Sequence, residues 1–146
     1  MIQLALTSIA LAFLFWIASL NAAHDHVVLH NARVVLVSRQ IEQLSTFGSA
    51  YAQSHASTNG PVPLATAGAP SWYAAPPGAL LVVQSGTSYA CMTAANVPDR
   101  AAVLGAIRAG GMVTGISSGT SLSDGIGNTV ATLPAGIPAN DLCVIQ

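Results

Sequence analysis

The sequence pattern most suggestive of catalysis is Gly115-Ile116-Ser117-Ser118-Gly119, which matches the G-x-S-x-G motif of nucleophilic serines. In that motif the serine lies between a strand and a helix, and its histidine base follows it in the chain. All four histidines here lie at or before His55, so no histidine follows Ser117. The chain also lacks lysine, which excludes a Walker phosphate loop and a Schiff-base lysine. We therefore expect no enzymatic activity.

A metal site is the second chemistry to consider, because His24, Asp25 and His26 are followed by His30. On a helix, His26 and His30 lie on one face, and imidazole binds zinc or copper. The alternative is a polar collar where a helix leaves a membrane. The short spacing, directly after an apolar run, favours the collar, and we expect neither a metal nor a cofactor.

The two cysteines, Cys91 and Cys143, both lie in predicted strands of one sheet. A disulfide between them would close a loop of about 52 residues and contribute about 4 kcal/mol by the loop-entropy relation. In a reducing compartment the same residues would be two buried thiols. We favour the disulfide, because the N-terminal segment offers a route to an oxidising compartment.

The elements that position these residues begin with an uncharged apolar run from Leu4 to Leu20. As a helix, residues 2 to 23 reach about 33 Å, enough for the hydrocarbon core of about 30 Å. A cleaved secretion signal is the alternative, but Met1-Ile2-Gln3 lacks the basic residues of such a signal. We predict a transmembrane anchor over residues 1 to 23.

Residues 24 to 55 contain no proline and one glycine, and their apolar residues recur at helical spacing. We predict one helix over residues 2 to 55, whose second part, residues 24 to 55, forms a stalk. Two interpretations of its apolar stripe stay open: it packs on the chain's own domain, or it forms a short seam with another subunit. The stripe consists of Val27, Val34, Val37, Ile41, Leu44 and Tyr51.

Residues 56 to 78 contain five of the eight prolines and no charge, which predicts a linker that cannot form a central strand. Trp72 and Tyr73 are its adjacent aromatic residues. Their rings either cover the edge of the domain core or form a recognition surface for a partner.

The sequence pattern of residues 79 to 146 predicts a small domain. In it, two strands flank a turn at Gly86, and a helix runs from Asp99 to Gly110. Three further strands are expected at residues 112 to 118, 127 to 133 and 141 to 146. The fold class is α+β, with the order ββαβββ, a mostly antiparallel sheet and one crossing helix. The expected buried face of that helix is formed by Ala102, Val103, Ala106 and Ile107.

Composition narrows the class of partner. Charged residues make up 6% of the chain and the net charge is -1, so no basic patch exists to neutralise phosphates. Neither nucleic acid nor a small-molecule substrate is expected. Association with proteins must depend on shape and apolar contact.

Three features together resemble a known family: Trp72, the hairpin from Leu80 to Met92, and the segment Leu133-Pro134-Ala135-Gly136-Ile137-Pro138 before Val144-Ile145. With the anchor and the stalk, this layout resembles the PilM family of type IVb, plasmid-type thin pili. The resemblance implies a small inner-membrane protein of pilus biogenesis, with other pilus subunits or copies of itself as partners and no catalytic residues. The actin-like, nucleotide-binding pilus protein of the same name is a different protein, whose fold would not fit in 146 residues.

Two other classes stay open, a minor pilin-like subunit and a secreted binding module released by signal cleavage. Pilin-like chains resemble one another in a basic leader ending in glycine and a glutamate early in the apolar run, and neither occurs around Ile2. For topology, Arg33 and Arg39 favour a cytoplasmic domain, whereas the two cysteines favour an oxidising compartment. We give the cysteines more weight and expect the bacterial inner membrane, with the C-terminal domain in the periplasm.

Overall fold

The computed structural model describes residues 2–97 and 99–146, with side chains at Trp16, at Ser19 and at residues 25–95, 97 and 99–146. Its long helix and small antiparallel sheet with a second helix confirm the predicted α+β class. The elements are α1 (Ile2–Ser54), β1 (Asn59–Pro61), β2 (Leu80–Gln84), β3 (Thr87–Thr93), a 3-10 turn (Ala94–Asn96), α2 (Arg100–Ala109), β4 (Val113–Ser117), β5 (Ser121–Ser123), β6 (Thr129–Thr132) and β7 (Asp141–Ile145).

The chain divides into two compact units, residues 1–33 and residues 34–146. The first is the N-terminal part of α1, in which Val27, Val28 and Leu29 are each more than half exposed. Across the described residues, we find no helix with both the length and the apolar character required to cross a membrane. Met1 and most side chains of the predicted anchor lie outside that description. The predicted boundaries after residues 23, 55 and 78 stay predictions.

The second unit is built on one sheet with the strand order β1-β2-β3-β7-β4-β5-β6, in which every neighbouring pair is antiparallel. Two of its strands, β1 and β5, were not predicted, and each has three residues. Strand β1 lies in the segment predicted as a linker, but at the edge of the sheet. An edge position tolerates Pro61, because an edge strand pairs on one side only and the N–H that proline lacks is not needed for hydrogen bonds to a second neighbouring strand.

The start of α2 agrees with the predicted cap at Asp99, whose Oδ1 accepts a hydrogen bond from the Ala102 N–H at 3.0 Å. The predicted buried face is only half correct. Val103 and Ile107 are buried, but Ala102 is exposed and Leu104 is buried instead. Ala106 is exposed as well. The helix turns its larger side chains toward the sheet, since a buried leucine removes more apolar surface from water than an alanine.

The sheet carries a core on each face because its strands alternate their side chains. The first core lies between one face and α1 and α2, and includes Ile41, Leu81, Met92 and Ile107. The second lies on the opposite face and is smaller; its buried members are Val82, Cys91, Leu122, Leu133, Ile137 and Cys143.

Glycines permit two close approaches inside the second unit. A Cβ at Gly48 of α1 would lie 2.5 Å from Leu81 Cδ1 and 3.0 Å from Ser88 Cβ, so its absence lets the helix lie close to β2 and β3. Gly115 of β4 has a neighbour that cannot rotate away. A Cβ there would collide with the backbone carbonyl of Ser123 in β5.

Two glycine-to-alanine substitutions should therefore change stability in opposite directions. Gly115→Ala should lower the free energy of unfolding by about 2 kcal/mol, because backbone must move to accept the methyl group. Gly105→Ala should raise it by about 0.5–1 kcal/mol, because Gly105 is an exposed residue inside α2 with nothing within 4 Å of its Cβ position. Urea denaturation followed by circular dichroism measures both. A Gly115→Ala variant as stable as the parent would contradict the close approach of β5.

Candidate functional site

The segment around residue 73 is fastened to α1. The Tyr73 hydroxyl donates a hydrogen bond to the main-chain oxygen of Gln40 at 2.8 Å, and its ring packs edge-on against Phe47 with 5.1 Å between ring centroids. The Gln40 side-chain amide donates in turn to the Ala74 carbonyl at 3.3 Å. Tyr73 N–H also bonds the Pro70 carbonyl at 2.9 Å, which closes a turn. The loop is thus held at several points.

Trp72, beside this anchor, faces the solvent and is 74% exposed. The sequence left two interpretations for the aromatic pair, and the structure places the two residues in different environments. Tyr73 packs against the core, whereas Trp72 is displayed outward. A large aromatic ring on a fixed loop is the type of residue that most often contributes strongly to protein interfaces, because little conformational entropy is lost when it is buried.

The predicted apolar stripe occupies different environments along α1. Ile41 and Leu44 are fully buried and Val34 is 8% exposed, all within the first core of the same chain. Val37 and Tyr51 are partly buried against that core, while Val27 is 58% exposed. The buried residues are covered by the rest of this core and are not available to another subunit in this fold. At these positions, packing on the chain's own domain is the interpretation that the structure supports.

Cys91 and Cys143 face each other in register across β3 and β7 and form a disulfide in the structure, with 4.1 Å between their Cα atoms. Both residues are fully buried in the second core. Their surroundings are apolar, which suits a structural rather than a reactive sulfur pair.

Ser117, the serine of the G-x-S-x-G pattern, ends β4 and is followed by a turn and β5 rather than by a helix. Its Oγ accepts a hydrogen bond from the Gly119 N–H at 2.9 Å, and the residue is 2% exposed. The hydroxyl therefore closes the turn. For metals, no group of three or more histidine, cysteine or acidic residues comes together among the residues that the structure describes, and the His24 side chain lies outside them.

The structure also shows an exposed apolar residue that the sequence analysis missed. Ile126, 85% exposed, lies at the tip of the loop between β5 and β6. Asp124 fixes this loop: its carboxylate accepts hydrogen bonds from the Ile126 and Asn128 N–H groups and from the Asn128 side chain. The Asn128 side-chain hydrogen bond is the main cause that lowers the pKa of Asp124. An aspartate before Gly125-Ile126-Gly127-Asn128 was the available signal, since this pattern favours an Asx turn.

These features define a small α+β domain joined to a long N-terminal helix, with an exposed tryptophan on a fixed loop. The family model named PilM matches residues 9–145 of the chain, which therefore belongs to the PilM family, as predicted. Membership points to a role in pilus biogenesis. Comparisons with curated proteins and with solved structures give no match.

Replacing Tyr73 with Phe tests how the loop is held. The variant keeps the ring but loses the hydroxyl that donates to Gln40, so the free energy of unfolding at neutral pH should fall by about 1 kcal/mol. Burial raises the pKa of Tyr73 above its ordinary 10.0, so the folded state keeps the neutral hydroxyl at a pH where the unfolded chain already loses the proton. The parent should therefore lose stability as the pH rises above about 10.

Thermal unfolding of parent and Tyr73→Phe between about pH 8 and 11 measures this difference. The parent should show an alkaline loss that is smaller in the variant. The same alkaline loss in both proteins would show that Tyr73 ionisation is not linked to folding.

Proposed function

We propose that this protein is a non-enzymatic, membrane-anchored component of the assembly machinery of a type IVb, conjugation-associated thin pilus. Its folded domain contacts other pilus subunits or further copies of itself. The observation that carries the proposal is Trp72, 74% exposed on a loop that Tyr73 and Gln40 fasten to α1. Family membership supplies the pilus context.

The membrane anchor in this proposal rests on the sequence of residues 2 to 23. The run from Leu4 to Leu20 contains no charged residue, and its helical length suits a bilayer. The histidines and Asp25 at its end suit the polar headgroup layer. Such an anchor fits a small subunit that must stay at the assembly site.

A contact role rather than catalysis is supported by how the polar residues are used. The Ser117 hydroxyl accepts a hydrogen bond from the Gly119 N–H. The Asp124 carboxylate accepts hydrogen bonds from the backbone N–H groups of Ile126 and Asn128 in its own loop. The low charge of the chain favours association through aromatic and apolar contact over electrostatic steering.

Replacing Trp72 with Ala tests the contact directly. The side chain is exposed, so the free energy of unfolding should change by no more than about 0.5 kcal/mol. Pilus assembly should fall strongly, because removal of an interface tryptophan typically costs at least about 2 kcal/mol of binding, or roughly thirtyfold in affinity.

Counting of surface pili by electron microscopy, with immunoblotting of the variant, provides the measurement. Val130→Ala is the matched control, because it removes apolar surface from a residue 44% exposed in β6 and should leave the pilus count unchanged. Normal pili with Trp72→Ala would refute Trp72 as the contact.

The compartment of the domain is a separate part of the proposal. We infer that residues 34–146 lie in the periplasm, because a disulfide between Cys91 and Cys143 requires an oxidising environment. Arg33 and Arg39 favour the opposite orientation, but they lie 10 and 16 residues beyond residue 23, where the positive-inside rule weakens.

Alkaline phosphatase fused after Gln146 should therefore be active. In cells quenched rapidly with acid, thiol alkylation should label neither cysteine until a reductant is added. An inactive fusion together with two freely alkylated cysteines would instead place the domain in the cytoplasm.

A further inference from the structure

A groove of about 450 Å³ lies beside the turn of the β2–β3 hairpin. One wall is formed by residues of that hairpin. The other is formed by Thr132, the last residue of β6, and by residues 133 to 135, which begin the Leu-Pro-Ala-Gly-Ile-Pro segment. The hairpin residues in the lining are Gln84, Ser85, Thr87 and Tyr89. The volume falls within the range of roughly 300–1,000 Å³ that small-molecule sites occupy.

The chemistry of the lining restricts the ligand. No lining residue is charged, so an ionic ligand would lose its hydration without gaining an opposite charge. The polar groups are three hydroxyls of Ser85, Thr87 and Thr132, the phenol of Tyr89 and the amide of Gln84. Such groups both donate and accept hydrogen bonds, which suits a neutral ligand with many hydroxyl groups.

These polar side chains are able to form hydrogen bonds with a ligand. Among the described residues, none of the five forms a side-chain hydrogen bond within the chain. Some hydroxyls nearby are bonded within the fold: Ser88 donates to the Gln146 main-chain oxygen, and the Ser118 and Ser121 hydroxyls bond each other at 2.7 Å. The groove therefore brings together polar side chains that form no hydrogen bond with the rest of the described chain.

Tyr89 adds an aromatic surface to the groove. It is half-buried and packs against the second core. Its strand is linked to β7 through the disulfide at Cys91, two residues further along. Sugar rings combine an apolar C–H face with a rim of hydroxyls, and a C–H face packs favourably on the electron-rich face of an aromatic ring.

Both walls of the groove are held in place. Ser85 adopts φ 50° and Gly86 φ 80°, which corresponds to a two-residue hairpin turn in which both central residues are left-handed. A non-glycine residue in this region costs energy, and the Asn59 side chain fixes it by accepting a hydrogen bond from the Ser85 N–H at 3.1 Å. The opposite wall is tied by the Leu133 N–H to the Thr120 carbonyl at 2.9 Å. Fixed walls lower the entropic cost of binding.

We propose that this groove binds an uncharged saccharide, with a pyranose ring against Tyr89 and its hydroxyls on Gln84, Thr87 and Thr132. A structural glycan of the cell envelope and a secreted polysaccharide both present this chemistry. The site does not include Trp72, and the inference does not depend on the proposed pilus contact.

The test is a titration of the full-length protein with two neutral probes, chitotetraose and maltotetraose, followed by isothermal calorimetry and by NMR of the backbone amides. Chitotetraose carries the acetamido groups of envelope glycans, whereas maltotetraose carries hydroxyls alone. We expect saturable shifts at residues 84 to 89 and 132 to 135 with at least one probe at millimolar concentration. Binding of chitotetraose alone points to an envelope glycan, and binding of maltotetraose points to a polysaccharide of plain hexoses.

Variants separate the ring from the hydroxyls. Tyr89→Leu should weaken binding about tenfold, because it removes the aromatic face but keeps apolar contact with the core. Tyr89→Phe should weaken it less, since the ring remains. Thr132→Val should weaken it about fivefold through loss of one hydrogen bond. Thr129→Val, in the same strand but outside the groove, is the matched control and should leave the affinity unchanged.

Absence of binding with both probes would overturn the proposal. Shifts located outside the groove, or equal weakening by Thr129→Val and Thr132→Val, would overturn it as well. Loss of pili with Trp72→Ala alongside intact saccharide binding would support both proposals separately, because the two sites share no residue.

Discussion

The packing of the second half of α1 on one face of the sheet is the interaction on which the rest of residues 34–146 depends. Ile41 and Leu44 are fully buried there, and Gly48 lets the helix approach Leu81 closely. Burial of each such aliphatic side chain contributes about 1.5–3 kcal/mol. In the same stretch of α1, the Gln40 main-chain oxygen accepts a hydrogen bond from the Tyr73 hydroxyl. The position of the loop that carries Trp72 therefore depends on this packing too. Residues 34–54 of α1, which lie within the predicted stalk, therefore form one wall of the domain.

The opposite face of the sheet has a different kind of support. Its core has few buried residues, and a covalent bond joins β3 to β7 at its centre. A small domain gains little from a minor core alone, and a disulfide compensates by restricting the unfolded chain. The bond also holds the strand that carries Tyr89 against β7. This face of the sheet thus carries both the structural disulfide and Tyr89, which lines the uncharged groove.

The surface chemistry follows from a composition with few charges. With 6% charged residues, the domain offers aromatic, aliphatic and hydroxyl groups to its surroundings. The two proposed roles, a protein contact at Trp72 and a neutral ligand in the uncharged groove, both use such a surface. Neither depends strongly on ionic strength, because neither is built from charges.

Features that depend on residues close together in the chain could be predicted from the sequence. Helical periodicity predicted α1 almost to its end at Ser54, the Asp99 cap predicted the start of α2, and the glycine-containing turn at Gly86 predicted the hairpin. The motif layout indicated the PilM family, which the family match confirmed. Four features became visible only in the folded chain: the short strands β1 and β5, the burial of Leu104 instead of Ala102, the different exposure of Trp72 and Tyr73, and the groove between two distant segments. These features arise from contacts between residues far apart in the chain, and no local pattern encodes them.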